Sequence, residues 1–510
     1  MVHRMCFRYH GAGGDIQSCD RYRGRDTPAA FLDTPAALQA TRDRPLRSHM
    51  NRIWLNFLPA IIRRRLDGQH NVQAVLGNIG WLFIDKILRM GVGFFVGAWV
   101  IRYLGPERYG ALNFSIAFVA LFSVVATLGL EGIVVRDIVH DPSCRDETLA
   151  SAFALKLIGG GICMVLAVTA ITFIRPAEPL YWWLVGIAAA STIFQSLDVI
   201  DYSYQAEVRS IYTVYARNAA FLLVVLLKIT LILVGAPLIT FAWAGLVEVG
   251  LAALGLLLIC DSQGKSLKPR LATFSRARRL LRQSWPLVIS ALFVVILMRT
   301  DQVMLGQMRG DRDVGIFSAA LALSEIWYFV PMVITSSVFP AMAKAWSTDK
   351  KLFYQRLKQL YVLMIWLSLG VAIPLTLFSS EIVTLLYGRA FQSTATVLAI
   401  HCWAGIFLFL GVVSNMWYLL ENLNHYTLYR CIVGAMVNVG LNFLLIPAYG
   451  AKGAAVSTLV AQFFASYLFD LLNKRTRNLF AMKTESALFF IPLTARYALR
   501  AMHRHGTSSA

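Results

Sequence analysis

NIGWLFIDKILRMGVGFFVGAWVIRYLGPERYG, residues 78–110, is the stretch whose reading decides the fold. From Ile79 to Ile101 it is apolar and long enough for one bilayer crossing, which needs roughly 20 residues. A short charged turn follows. Asp85, Lys86 and Arg89 sit inside the apolar run, where a charge at the bilayer centre costs about 2.5–3.5 kcal/mol. Asp85 and Arg89 are four residues apart and share one helix face, with Lys86 beside them. That face must look into protein or a water-filled cavity, as a structural ion pair or as the lining of a transport path, unless the span starts later and Asp85 lies at the interface. Gly93 and Gly97 form a small-residue step that lets a neighbouring helix approach.

Working outward, similar apolar runs recur at about 111–135, 149–174, 180–197, 211–234, 238–260, 285–306, 315–342, 359–378, 396–420, 428–446 and 451–472. With the first run they make about twelve spans. Of the 510 residues 57% are hydrophobic and only 15% charged, against about 25% charged in soluble domains. The expected fold is all-α, a polytopic membrane protein. The net charge of +20 does not indicate nucleic acid, because the basic residues crowd into tails and alternate loops, as the positive-inside rule requires. Seven cysteines include no CxxC pair, so neither a disulfide framework nor a metal or other cofactor site is expected. Gly264-Lys265-Ser266 is not a nucleotide-binding loop, since Ile259 stands where the first glycine belongs. Gly159-Gly160-Gly161 inside an apolar helix reads as a close-packing site rather than a phosphate cradle.

Residues 1–70 read as a disordered basic tail, with an amphipathic helix at 52–66 whose Arg63-Arg64-Arg65 cluster suits an anionic membrane surface. Residues 1–49 read equally as an upstream extension of the frame with Met50 as the start. Residues 71–260 form a first six-helix lobe and 284–472 a second. Between them, 261–283 carries seven Lys/Arg against one acid, Asp261, and reads as a cytoplasmic linker. EIVTLLYGRAFQSTA reads as an amphipathic connector on the outer face, and 473–510 as a cytoplasmic tail, so both termini are expected inside. The first span ends RYLGPERYGALNF and the seventh GQMRGDRDVGIFS, with Arg108-x-Gly110 echoed by Arg312-x-x-Gly315. This predicts two parallel repeats about an axis along the membrane normal, with a substrate path between them.

The motifs HNVQAVLGNIGWLFIDKILRMGVGFFVG (from His70), VIRYLGPERYG, LGLEGIVVRDI, MRTDQVMLGQM and LLYGRAF, in that order, resemble the polysaccharide-repeat (O-antigen type) flippases. These belong to the superfamily of multidrug, oligosaccharidyl-lipid and polysaccharide exporters, whose fold is MATE-like. The resemblance covers about 71–480. It implies twelve helices in two lobes around a V-shaped cavity. It also implies movement of an undecaprenyl-pyrophosphate-linked oligosaccharide from the inner to the outer leaflet of a bacterial cytoplasmic membrane. The implied partners are that lipid-linked oligosaccharide, membrane lipids and other membrane proteins of polysaccharide assembly, with no nucleic acid.

A sugar chain and a pyrophosphate need polar walls to cross hydrocarbon. Lys86 and Arg89 are the candidate pyrophosphate ligands, with Arg299 as a second cation. Asp85, Glu131 and Asp301 are candidates for orienting the arginines, binding sugar hydroxyls or taking up a coupling proton. Arg299 and Asp301 are two residues apart and point about 200° from each other on a helix, so both cannot face the cavity centre. The charges inside spans balance, with Lys86, Arg89, Lys156, Lys228 and Arg299 against Asp85, Glu131, Glu248, Asp301 and Glu325, so the anionic substrate rests on the resemblance. The alternatives are a cation-coupled multidrug exporter, which would avoid buried arginines, and a polysaccharide polymerase, which would want a large outer loop. The expected class is a transporter, not an enzyme.

Overall fold

Helices form because almost every residue of each run is apolar, and a backbone in hydrocarbon must satisfy its own hydrogen bonds. A computed structural model describes residues 70–488, with side chains from 89 to 487; the two tails lie outside this range, as do the amphipathic helix expected at 52–66 and Met50. Among the described residues there is no strand. The helices, in chain order, are α1 (His70–Thr127), α2 (Glu131–His140), α3 (Arg145–Ile174), α4 (Pro179–Phe194), α5 (Val199–Ala206), α6 (Ile211–Val234), α7 (Leu238–Ser262) and α8 (Phe274–Met308). Then follow α9 (Asp311–Ser324), α10 (Phe329–Thr348), α11 (Lys350–Leu377), α12 (Ser379–Tyr387), α13 (Thr394–His401), α14 (Ala404–Leu420), α15 (His425–Tyr449), α16 (Ala451–Ser466) and α17 (Arg477–Leu488).

A straight helix of 58 residues would be about 87 Å long, nearly three times the hydrocarbon thickness of about 30 Å. Gly105 breaks α1 at φ 72°, ψ 172°, a conformation open essentially to glycine alone. Pro106 then starts the second arm, where its missing N–H costs nothing. Eleven apolar stretches are long enough to cross a membrane, and the first, Arg89–His140, holds two crossings because of this break. Among the described residues the helices therefore amount to twelve passes, in two lobes of six. Among the described residues four spans are helix pairs in line, broken at 128–130, 195–198, 325–328 and 402–403. Breaks of this kind inside a helix mark hinges and polar sites.

The repeat is registered by its glycines, as the expected pairing of Gly110 with Gly315 has it, while Arg108 and Arg312 fall one position out of step. Gly310 takes φ 87°, ψ 178° at the start of α9, matching Gly105, and Gly315 then matches Gly110. The two hairpins meet reciprocally. A Cβ on Gly110 would strike the carbonyl of Asp311, and a Cβ on Gly315 would strike the carbonyl of Pro106. Since Pro106 and Asp311 each follow the first glycine of their repeat, these are one contact repeated by a pseudo-twofold axis.

The apolar cores show where the lobes join. At the hairpin end one cluster runs through both, from Phe114, Ile171 and Leu184 to Leu305, Phe317 and Ile446. At the other end, where the 261–283 linker lies, the cores are separate. Leu130, Val134, Tyr204 and Leu256 belong to the first lobe, and Phe353, Tyr361, Phe409 and Trp417 to the second. The lobes thus share one core at the hairpin end and keep separate cores at the linker end, where the start of α8 still packs on the first lobe, with Leu280 in its cluster and Leu287 against Gly129.

Candidate functional site

Between the lobes lies a cavity of about 820 Å³. Both arms of α1 line it, with α4, α6 and α7, while the second lobe contributes Glu325 and Tyr387. Arg89 is in the wall. Its Nε donates to Asn218 Oδ1 of α6 at 3.0 Å, and its guanidinium lies over the Phe221 ring at 5.2 Å. Residues 218 and 221 are one helical turn apart, so α6 holds the arginine by a hydrogen bond and a cation–π contact together. Ser123, Ser191, Thr192 and Gln195 add hydroxyl and amide groups to the same wall. Lys228 also lines the cavity and pairs with Glu248 of α7 at 3.3 Å. Asp85 and Lys86 lie in α1, one turn before Arg89, with side chains outside the described set.

Arg299 and Asp301 separate as their spacing requires. Arg299 is half-buried and within electrostatic range of Glu325 and Tyr109, two residues of the cavity wall. Asp301 turns the other way, into the second lobe. It is 3% exposed and accepts hydrogen bonds from Asn438 Nδ2 at 2.9 Å, Asn442 Nδ2 at 2.5 Å and Thr458 Oγ1 at 2.5 Å. Asn438 and Asn442 are four residues apart on α15, presenting one polar face to the carboxylate. Glu325 stands between the two places, lining the main cavity and also the small space beside Asp301, Tyr328 and His401. It sits at the turn that interrupts the eighth span.

Glu131 is exposed at the start of α2 and accepts from Gln205 Nε2 at 3.1 Å. That bond ties it into a charged network which sequence reasoning left without a role. Gln205 also reaches Asp201 at 3.2 Å, and Arg217 bridges Asp198 at 3.3 Å and Asp201 at 3.2 Å. Lys156, 2% exposed, donates to Tyr202 at 3.1 Å and lies 3.8 Å from Asp198. A signal for it was present in the sequence: Asp198, Asp201 and Gln205 recur at i, i+3 and i+7, one helix face, at the end of an apolar run.

These features are a two-lobed helical bundle, a cavity between the lobes and polar groups turned into it. The family model for polysaccharide biosynthesis proteins matches residues 75–346. The chain belongs to that family. A second family model, MatE, matches residues 286–444, which places the family in the multidrug, oligosaccharidyl-lipid and polysaccharide exporter superfamily. A probable low-salt glycan biosynthesis flippase of Haloferax volcanii is 24% identical over 395 residues, 74% of this chain and 79% of the relative. A capsular polysaccharide biosynthesis protein of Staphylococcus aureus is 19% identical over 412 residues, 78% and 99% of the two chains. Among solved structures, an inward-facing multidrug transporter of the MATE family aligns with a TM-score of 0.66 at 15% identity, covering 80% of this chain and 99% of its own. The lipid II flippase MurJ, in an inward closed conformation, aligns with a TM-score of 0.60 at 15% identity, over 82% and 92%. The protein is a multi-pass membrane transporter of this family.

Proposed function

We propose that the protein moves an undecaprenyl-pyrophosphate-linked oligosaccharide repeat from the inner to the outer leaflet of a bacterial cytoplasmic membrane, for surface polysaccharide assembly. The observation that carries this reading is Arg89, fixed by α6 in the wall of a cavity between two lobes that share an apolar core at the hairpin end. The basic linker 261–283 and both tails lie in the cytoplasm, so the linker end faces inward and the hairpin end outward. The lobes are 71–260 and 284–472, and they rock about the cavity to alternate its access.

In this mechanism Arg89, with Lys86, takes the pyrophosphate by charge-assisted hydrogen bonds, and Arg299 is the second cation, reached as the lobes move. Hydroxyl and amide groups at Ser123, Ser191, Thr192 and Gln195 replace the water around the first sugars. Asp85 orients Arg89, and Glu131 with its network meets sugar hydroxyls at the cytoplasmic mouth. Asp301 is where a coupling cation acts: it is a carboxylate held among side-chain oxygens and amides inside the lobe that must move. Other polysaccharide-assembly proteins of the membrane supply and consume the lipid-linked repeat.

A second reading, a cation-coupled multidrug exporter, draws on Glu325 in the cavity wall and is separated by the same experiment. In a strain lacking the gene, surface polysaccharide and the lipid-linked repeats of each leaflet are measured. Loss of polymer with single-repeat intermediates confined to the cytoplasmic leaflet supports the flippase. Repeats that reach the outer leaflet unpolymerised indicate a polymerase. Unchanged glycolipids with greater sensitivity to cationic drugs indicate the drug exporter.

A further inference from the structure

The loop between α3 and α4 carries Arg175, 9% exposed, at the hairpin end of the bundle. Its own backbone N–H closes the last turn of α3 on Ile171 at 2.8 Å, and its carbonyl accepts from Trp182 Nε1 at 3.0 Å. The backbone of this residue is therefore part of the first lobe. The guanidinium is not confined to that lobe. Nη2 donates to the carbonyl of Gly306, on α8 of the second lobe, at 2.6 Å. Nη1 lies 3.6 Å from Asp311 at the start of α9 and 3.3 Å from Glu178 of its own loop. The planar group lies against both the Phe114 ring at 4.5 Å and the Tyr181 ring at 4.1 Å, two rings that meet edge to face. Tyr181 completes the set by donating its hydroxyl to Asp311.

Two groups of the first lobe thus grip one carboxylate of the second, and the same arginine also grips a main-chain oxygen of α8. Gly306 is where Phe114 packs directly on the α8 backbone, so the cation–π stack and the hydrogen bond close on one spot. The reciprocal glycine contacts lie beside it, the one at Gly110 sharing Asp311. These neighbouring contacts are apolar or main-chain and would form in any close packing of the hairpins. The arginine contacts are directional and charged, and the guanidinium itself is buried at 9% exposure while the lobes stay together.

We propose that Arg175 is a positioning residue that latches the hairpin end of the two lobes, and that its release from Gly306 and Asp311 is the step that opens the cavity to the outer face. The latch is suited to reversal. Apolar surfaces pulled apart in water stay unfavourable, whereas water entering at this end solvates the arginine and Asp311, which offsets the breaking of their ion pair and of the hydrogen bond to Gly306. The proposal takes from the functional reading only the side of the membrane on which the hairpin end lies.

The test reads conformation, without a transport substrate. Ile116 lines the cavity and is 49% exposed, so a cysteine introduced there (Ile116→Cys) reports access. The full-length protein, in right-side-out and inside-out vesicles, is treated with a membrane-impermeant maleimide, and the parent without the added cysteine gives the background. In the parent carrying the reporter, labelling from the cytoplasmic face is expected, and little from the outer face. Arg175→Ala and Asp311→Asn are each expected to raise the outer-face labelling rate about tenfold or more, from the loss of charge-assisted bonds, and to slow labelling from the cytoplasmic face. Arg175→Lys keeps the charge without the fork and is expected to fall between. If Arg175→Ala fails to reach the membrane, the other two variants carry the test. Outer-face labelling unchanged in folded variants would overturn the latch, as would faster labelling from both faces, which is loosening rather than gating. Labelling of the reporter parent from the outer face alone would place the hairpin end inside and overturn it too. Loss of the flippase reading through unchanged glycolipids would leave the labelling result standing.

Discussion

Replacing Gly315 with alanine should force the hairpin end apart, and the structure says by how much. The added Cβ would lie 2.7 Å from the carbonyl carbon of Pro106 and 3.0 Å from its Cα, with the carbonyl oxygen nearer still. Ordinary contact begins at 3.4 Å, so the carbon alone requires a retreat of 0.7 Å. The obstacle is backbone, which has no rotamer to escape into. Overpacking of this kind costs about 1–3 kcal/mol, or roughly a 5- to 150-fold shift between the closed and opened states. Gly110→Ala meets Asp311 by the same geometry, with its carbonyl carbon also at 2.7 Å, and should match Gly315→Ala in sign and size. The double variant should cost less than the sum, because one separation of the hairpins relieves both clashes. Gly132 has nothing within 4 Å of an added Cβ, so Gly132→Ala is the neutral control. Thermal unfolding of the purified proteins in detergent checks all four. Strict additivity of the two glycine variants, or a neutral Gly315→Ala, would refute the reciprocal contact.

Arg89→Ala should insert normally yet lower polysaccharide export by about ten- to a hundredfold, the worth of charge-assisted hydrogen bonds, with Arg89→Lys retaining part of it; full export by the alanine variant in a complementation assay would remove Arg89 from the site. Asp301→Asn should give a protein that accumulates in the membrane but whose transport no longer responds to an imposed cation gradient, measured in inverted vesicles; a preserved response would move coupling elsewhere. Lys483 of α17 is fully buried against Asp470 at 2.5 Å, and burial pushes its ammonium below the usual lysine range while Asp470 pulls the other way. Lys483→Ala should therefore lower stability by about 3–5 kcal/mol by stranding the carboxylate, and adding Asp470→Leu to Lys483→Met should recover much of it; equal unfolding temperatures for wild type and Lys483→Ala would contradict this.

The spans were legible because hydrophobic length is a strong and simple signal: each expected run coincides with a helix or an in-line pair. The interruptions were not. At 325–328 the chain reads EIWY and at 402–403 CW, with no proline or glycine to announce a break. The register of the repeat was legible in Gly110 and Gly315, whereas Arg108 and Arg312 beside them fall one position out of step, because the structural constraint falls on glycines that must admit another backbone. In the site, the spacing of Arg299 and Asp301 foretold that they part, but which of them enters the lobe depends on Asn438, Asn442 and Thr458, more than 130 positions away. Arg175 stands in RPAEP, an ordinary loop by composition. Its partners Gly306 and Asp311 come from the other half of the chain, and no local pattern connects them.

The reciprocal contact at Gly110 and Gly315 has a meaning for how such a molecule can arise. An interface in which each side offers the same pair, a glycine and the carbonyl four residues before it, is self-complementary. One six-helix unit bearing that pair could close against a copy of itself as a symmetric dimer. Joining the copies through a linker removes the need to find a partner and lets the halves differ. Here the difference is visible in what each lobe keeps at its heart: a guanidinium facing the cavity in the first, a carboxylate turned inward in the second. A symmetric pair could not have held both without holding each of them twice.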